Sequence, residues 1–231
     1  MVLDDNESHR YLGKKLSISG TDRNLIEFKS RKQIAWMAFG KHIKVLLDHN
    51  ISLQLRLKYF DACVGPVILF GTVILPMTRT QLQDLDRLQR KMLRRIVGWR
   101  RIEGEDWRDT MVRMNQRLSR AEQLNFCQPW TISFARNQWK YIFHLIDAYP
   151  LRWPRIMLKF NFNPVYDPEA SAIPYRMFGR PRLRWDDHIR GFCWKTWPQY
   201  HGRHWFDILS HTRNDNFENE YVLYLCSERM H

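Results

Sequence analysis

Between positions 80 and 97 the chain carries neither Gly nor Pro, and its apolar residues return with the period of an α-helix. Leu85, Leu88, Met92 and Ile96 share one face with Leu82 and Leu93 beside it, so this segment buries a stripe only when helical. Arg87, Arg90, Lys91, Arg94 and Arg95 follow the i, i+3, i+4, i+7, i+8 pattern. At about 100° per residue that spacing gathers them on the side opposite Leu88 and Met92. No Asp or Glu occurs between Arg87 and Arg101, so the i, i+4 carboxylates that neutralise a solvated stripe are missing downstream of Asp86. Thr78 or Thr80 offers an N-cap and Gly98 a C-terminal stop. Two roles are open to this face: a solvated surface whose cations complement the helix macrodipole, or a binding face for a polyanion.

The segment upstream is its opposite in character. Residues 62–77 form the longest uncharged run, interrupted by Gly65, Pro66, Gly71 and Pro76. It is shorter than the roughly 20 apolar residues of a membrane span, so a kinked core helix is expected, with residues 63–75 as buried packing and no membrane partner.

The whole chain leans the same way as the stripe. A formal net charge of +13 favours a polyanionic partner. Each phosphate neutralised on duplex DNA makes log K fall with log[salt] by about 0.9. With 231 residues, 44% of them hydrophobic and 14% aromatic, the chain can bury one or two cores and is not compositionally disordered. The first ten residues are polar and acidic without an apolar core, which gives no support to a secretory signal and points to an intracellular protein of nucleus or cytoplasm. Cys63, Cys127, Cys193 and Cys226 are widely spaced with no C-x-x-C pair, which argues for reduced thiols over a disulfide framework or a zinc knuckle. His201, His204 and His211, or His188 with Cys193, lack the paired spacing of zinc sites and read as surface or packing residues. No G-x-S-x-G, phosphate-cradling glycine loop or GxGxxG is present, so hydrolase, nucleotide-binding and dehydrogenase readings have no support.

Along the chain, residues 11–19 read as a short strand ended by Gly20. Asp22 can cap a helix running to Leu47, with Leu25, Phe28, Ile34, Met37 and Val45 as its apolar positions. Ser52 begins the next helix, carrying Leu53, Leu57, Phe60 and Val64 into a Pro66 kink. Residues 103–115 suit a short helix, and 119–147 a longer one interrupted at Pro129, with Trp139, Ile142, Phe143 and Ile146 on its apolar side. Pro164, Pro168 and Pro174 mark 161–180 as a linker, after which Trp185, Ile189, Phe192 and Trp197 open a small helical unit continued by Trp205, Ile208 and Leu209.

Several blocks, in order, resemble the part of non-LTR, LINE-type retrotransposon reverse transcriptases that follows the catalytic motifs, the RTE-like endonuclease-reverse transcriptases in particular. Tyr11-Leu12-Gly13 resembles the family's Y-L-G block, and residues 34–40, IAWMAFG, resemble its R-I-A-x-A-x-x-A-F-G helix. Phe60, Cys63, Val64, Pro66, Val67, Leu69 and Gly71 match F-x-x-C-V-x-P-V-x-x-Y-G, with Phe70 in place of the Tyr. Leu85, Gln89, Arg90, Met92, Leu93 and Gly98 fit L-x-x-x-Q-R-x-M-L-x-x-x-x-G. Trp139, Tyr141 and His144 resemble W-x-W-x-G-H, although Phe143 replaces the Gly, and Arg152-Trp153 resembles the R-W that follows. Residues 179–187, GRPRLRWDD, are similar to G-R-P-x-x-R-W-x-D.

The resemblance implies a mainly α fold: a helical thumb-like bundle, a short N-terminal strand or hairpin remnant, and a small helical C-terminal unit. Its divisions are 1–20 as palm remnant, 21–118 as thumb-like domain, 119–160 as helical extension, 161–180 as Pro-rich linker and 181–231 as the C-terminal unit. It implies RNA or RNA–DNA hybrid as partner, together with the missing palm and fingers of the parent polyprotein. Polymerase chemistry needs strand-borne carboxylates holding two Mg²⁺ ions about 4 Å apart, and the family supplies two of them from a Y/F-A-D-D motif. Asp4-Asp5 has the wrong flanks and lies too close to Tyr11, while Asp186-Asp187 sits in a helical pattern and is expected to cap or pair with Arg182, Arg184 or Arg190. Mg²⁺ therefore belongs to the complete polymerase, and this chain alone is expected to need no cofactor and to catalyse nothing. The nucleic-acid contacts are expected from Arg87, Arg90, Lys91, Arg94 and Arg95, and from Arg180, Arg182 and Arg184, which an extended segment around Pro181 would present. Trp185 is then a stacking platform or, with Ile189 and Phe192 continuing its face, a core anchor. The competing class is a helical protein-interaction module, or a non-functional degenerate retroelement fragment, exposing the apolar residues 64–75 to a partner.

Overall fold

The computed structural model describes residues 8–11, 14–17, 23–98, 100–123, 127–148, 185–212 and 217–227. The fold is mainly helical. Its residues fall into two compact units, one drawn from positions 1–72 and 77–134, the other from 73–76 and 135–231.

In the first unit, strands β1 (Ser8–Tyr11) and β2 (Lys14–Ser17) pair antiparallel, with Ser8 opposite Ser17 and Tyr11 opposite Lys14. The strand expected over 11–19 is thus the second arm of a hairpin. Helix α1 (Arg23–Lys41) follows. It buries Phe28, Ala35 and Phe39, while Leu25 and Val45 are exposed and Met37 is 73% exposed. The expected apolar face is therefore corrected. Phe28 is buried as expected, but the stripe then passes through a small Ala and is flanked by a buried ion pair, Arg31 Nε to Glu27 Oε1 at 2.7 Å, in place of Leu25, Met37 and Val45. Nor does α1 run to Leu47. It stops at Lys41, and a separate turn of helix, α2 (Ile43–Leu46), follows His42, whose Nδ1 lies 2.8 Å from the Tyr59 hydroxyl.

Helix α3 (Leu53–Leu69) starts at an N-cap Ser52 whose Oγ accepts the Leu55 N–H at 3.4 Å. It continues through Pro66, which lies on an exposed position. Leu57, Phe60, Val64 and Ile68 are buried, but Cys63 is only half-buried and Phe70 is 52% exposed, so the expectation that all of 63–75 is packing holds for one side of the helix only. The stretch Leu53–Ile74 is long and apolar enough to cross a membrane by length and composition. Within this unit, however, its buried side packs against α1 and α2. Arg56 on the same helix is buried and donates Nε to the Ile51 carbonyl at 3.1 Å and Nη1 to those of Leu46 at 3.3 Å and Ile96 at 2.9 Å. Two of these acceptors lie at helix C-termini, where a cation is favoured and orphan carbonyls need donors.

Helix α4 (Arg79–Val97) begins with a capping box: Thr78 Oγ1 accepts the Gln81 N–H, and Gln81 Oε1 accepts the Thr78 N–H at 2.8 Å. It ends at Gly98, whose φ of +82° is the left-handed conformation that glycine adopts without a Cβ penalty. Helix α5 (Trp107–Gln123) corrects the expected 103–115 helix, because Gly104 at φ +80° makes a turn there. The loop before it is closed by Glu105, which accepts from Arg113 Nη2 at 2.7 Å and Thr110 Oγ1 at 2.8 Å while Arg113 also donates to the Arg100 carbonyl. The division expected at 118/119 falls inside α5 and is corrected: Leu118 and Ser119 are consecutive residues of one helix. Helix α6 (Trp130–Asp147) starts directly after Pro129, as expected.

The second unit gathers Trp139, Ile142 and Leu145 of α6 with α7 (Asp187–Thr196), α8 (Trp205–His211) and α9 (Phe217–Ser227). Its centre is aromatic: Trp139 stacks on Tyr221 at 5.2 Å between ring centroids and meets Phe192 edge-on. Gln138, buried beside them, donates to the Trp185 carbonyl at 3.0 Å and accepts the Tyr221 hydroxyl at 2.6 Å. Gly191 of α7 lies in a close approach: a Cβ there would sit 2.5 Å from the Tyr224 hydroxyl, so that side chain would have to shift. The expected linker, 161–180, lies outside the described residues.

Candidate nucleic-acid interface

Helix α4 is oriented by what it buries. Leu82, Leu85, Leu88, Met92, Leu93, Ile96 and Val97 are covered, each burial stabilising by about 1.5–3 kcal/mol. Exposed ion pairs contribute about 0–1 kcal/mol each, so packing sets the rotation of the helix and the cations follow. Gln89 is buried in the same arc, which shifts its centre. At about 100° per residue the arc is centred near Ile96 and Gln89, with Leu88 at its margin beside Arg95. The five cations therefore lie opposite Ile96 and Gln89, a correction to the placement opposite Leu88 and Met92.

Two side chains of α4 also hold the start of α6. Gln89 Nε2 donates to the Gln128 carbonyl at 2.7 Å and its Oε1 accepts the Trp130 N–H at 2.9 Å. Asp86 Oδ1 accepts from Thr131 N at 3.2 Å and Oγ1 at 2.8 Å. Both satisfy N–H groups that a helix N-terminus leaves without intrahelical partners. Cys127 and Asp61 extend this polar seam, the thiol 3.8 Å from Asp61 Oδ1, and burial raises the Asp61 carboxyl above its usual range against that hydrogen bond.

The five cations form two flanks. Arg87 Nη1 lies 3.3 Å from Asp84 Oδ1, and Lys32 Nζ of α1 lies 3.2 Å from the other oxygen of that carboxylate. Lys91 Nζ and the Arg95 guanidinium sit over the Trp36 ring of α1, at 5.9 and 5.0 Å from its centroid. On the other flank Arg94 Nη2 donates to Asn115 Oδ1 of α5 at 3.2 Å, and Arg90 and Arg94 line a cavity of about 270 Å³ with Asn115, Leu118 and Ser119. Arg87, Arg90, Lys91 and Arg95 are exposed and Arg94 is half-buried. An exposed cation–π contact contributes about 0.5–1 kcal/mol. Contacts of this size hold the side chains out over the face.

Lys32, Trp36, Asn115 and Ser119 were not legible as part of this surface, because nothing in their own segments marks them; only the packing of α1 and α5 on α4 brings them there. Arg180, Arg182 and Arg184 lie outside the described residues. Trp185 packs edge-on against Tyr141 at 6.0 Å and Trp205 at 5.9 Å. Asp187 pairs with Arg190, while Asp186 Oδ2 accepts the Trp205 indole N–H at 3.0 Å. The histidines serve locally: His204 Nδ1 accepts the Phe206 N–H at 3.1 Å and His201 packs on Trp194 at 4.5 Å. Among the described residues no group of three or more His, Cys, Asp or Glu could hold a metal ion.

No family model, curated protein or solved structure matches the chain.

Proposed function

We propose that this chain is a nucleic-acid-binding fragment of a non-LTR retrotransposon reverse transcriptase, gripping template RNA or RNA–DNA hybrid through α4. The observation that carries the reading is the side-by-side exposure of Arg87, Arg90, Lys91 and Arg95 on one rigidly packed helix, in a chain of net charge +13. Such a face holds a backbone by charge and shape and reads no sequence, since phosphate contacts position and base contacts specify. The ordered motif blocks of the sequence supply the retroelement part of the reading. The Mg²⁺-holding carboxylates of a polymerase belong to the missing palm, so the isolated chain polymerises nothing; template-dependent nucleotide incorporation by the purified protein would contradict that.

Reversing Arg90, Lys91 and Arg94 to Glu, with the helical circular-dichroism signal retained, is expected to weaken hybrid binding sharply at low salt. Unchanged affinity would refute the reading. The rival protein-interaction reading needs residues 64–75 as an exposed apolar surface; Val64 and Ile68 are buried there, while Phe70 is 52% and Ile74 40% exposed.

A further inference from the structure

We propose that the groove between α4 and α5 is a built phosphate seat for one backbone phosphodiester of the bound strand. This rests on the nucleic-acid reading and adds residues outside the basic stripe to it. Arg90 and Arg94 stand one turn apart on α4, and Asn115 and Ser119 stand one turn apart on α5. All four line the same cavity of about 270 Å³, together with the buried Leu118. The lining side chains offer two guanidinium forks, a carboxamide and a hydroxyl.

The geometry assigns each side chain a task. Arg94 Nη2 donates to Asn115 Oδ1 at 3.2 Å, which leaves the NH₂ as the donor end of that amide. Guanidinium groups match phosphate oxygens with paired, planar N–H bonds, and such charge-assisted bonds are about twice as strong as neutral ones. Arg90 brings the second guanidinium, and Ser119 adds a hydroxyl that rotates to suit. The cavity is slightly below the roughly 300–1,000 Å³ of small-molecule pockets, a size suited to a single backbone unit. Val112, Gln116 and Arg120 continue the concavity along α5 from Asn115 and Ser119, so a strand leaving the seat meets another cation.

The experiment compares Ser119→Glu and the near-isosteric Asn115→Asp with wild type and with Lys91→Glu/Arg95→Glu, which alters the stripe outside the groove. RNA–DNA hybrid affinity is measured across salt, and the Asn115 side-chain amide is followed by NMR during titration with hybrid or with inorganic phosphate. Each groove variant is expected to weaken hybrid binding about tenfold and to lower the salt slope by about one, and the wild-type amide is expected to shift with both probes. Wild-type affinity and slope in both groove variants, with an unmoved Asn115 amide and binding lost in Lys91→Glu/Arg95→Glu, would overturn the groove and leave the stripe standing. Amide shifts with phosphate and no hybrid binding would assign a free-anion site and overturn the backbone claim. Hybrid binding by none of the proteins, with no phosphate shift, overturns both readings.

Discussion

Gln89 and Trp130 are joined by a buried hydrogen bond of 2.9 Å in which the carboxamide oxygen of one helix accepts the first backbone N–H of another. The same carboxamide donates to the Gln128 carbonyl at 2.7 Å, so one side chain satisfies both polarities at the α6 start. Replacing it with Met keeps the volume and removes both bonds, and a buried polar group that loses its partner costs about 1–3 kcal/mol. Gln89→Met is therefore expected to destabilise the protein by about 2–4 kcal/mol in urea unfolding, and a loss under about 0.5 kcal/mol would show that the clamp is dispensable.

Gly191 and Tyr224 give a second, independent test. Alanine at 191 gains about 1 kcal/mol of helix propensity, but its methyl would lie 2.5 Å from the Tyr224 hydroxyl. Overpacking of this kind costs about 1–3 kcal/mol. Gly191→Ala is expected to lower thermal stability, and Gly191→Ala/Tyr224→Phe to restore it, because the next atom is at an ordinary 3.6 Å. A double variant as unstable as the single one would contradict the contact.

Glu105 makes part of the stability pH-dependent. The Arg113 hydrogen bond, against some desolvation and with help from Thr110 and Ile102, lowers its pKa from 4.5 to about 2. Between those values the unfolded chain binds the proton and the folded one does not, so the contribution is complete above about pH 4.5 and is lost as pH falls towards 2. Glu105→Gln is expected to flatten the loss of stability over that window. Identical acid profiles for the two proteins would remove Glu105 from the account.

The four thiols should differ in reactivity. Burial pushes Cys193 up to about 12, and Cys127 is also buried, whereas Cys63 and Cys226 are half-buried. Since thiolate is the nucleophile, iodoacetamide near pH 8 followed by peptide mass spectrometry is expected to find Cys63 and Cys226 modified first. Early labelling of Cys193 would mean that the second unit opens readily.

The helices themselves were legible where local chemistry is self-sufficient. Thr78 with Gln81, the unbroken 3.6-residue period and Gly98 together define α4 without help from the rest of the chain. Helix α1 was read only in part: Phe28 is buried as expected, but the stripe continues through Phe39, Ala35 and a buried Glu27–Arg31 pair, where hydropathy favours Met37 and Leu25. Arg56 shows the same limit: a cation in a helix reads as surface, yet here three carbonyls, that of Ile96 forty residues away, take it inside. At the candidate site the stripe is a property of one helix and so was visible, whereas Trp36, Asn115 and Ser119 reach it only through tertiary packing.

The central claim is that α4 holds a phosphate backbone, and the salt dependence of binding measures it most directly. With an RNA–DNA hybrid between about 50 and 200 mM salt, log K is expected to fall with log[salt] by about 0.7–0.9 per phosphate held, or a slope of about −4 for five cations. Arg90→Glu/Lys91→Glu/Arg94→Glu should flatten that slope by about 2–3. A wild-type slope near zero, or one unchanged by the triple reversal, would contradict the account.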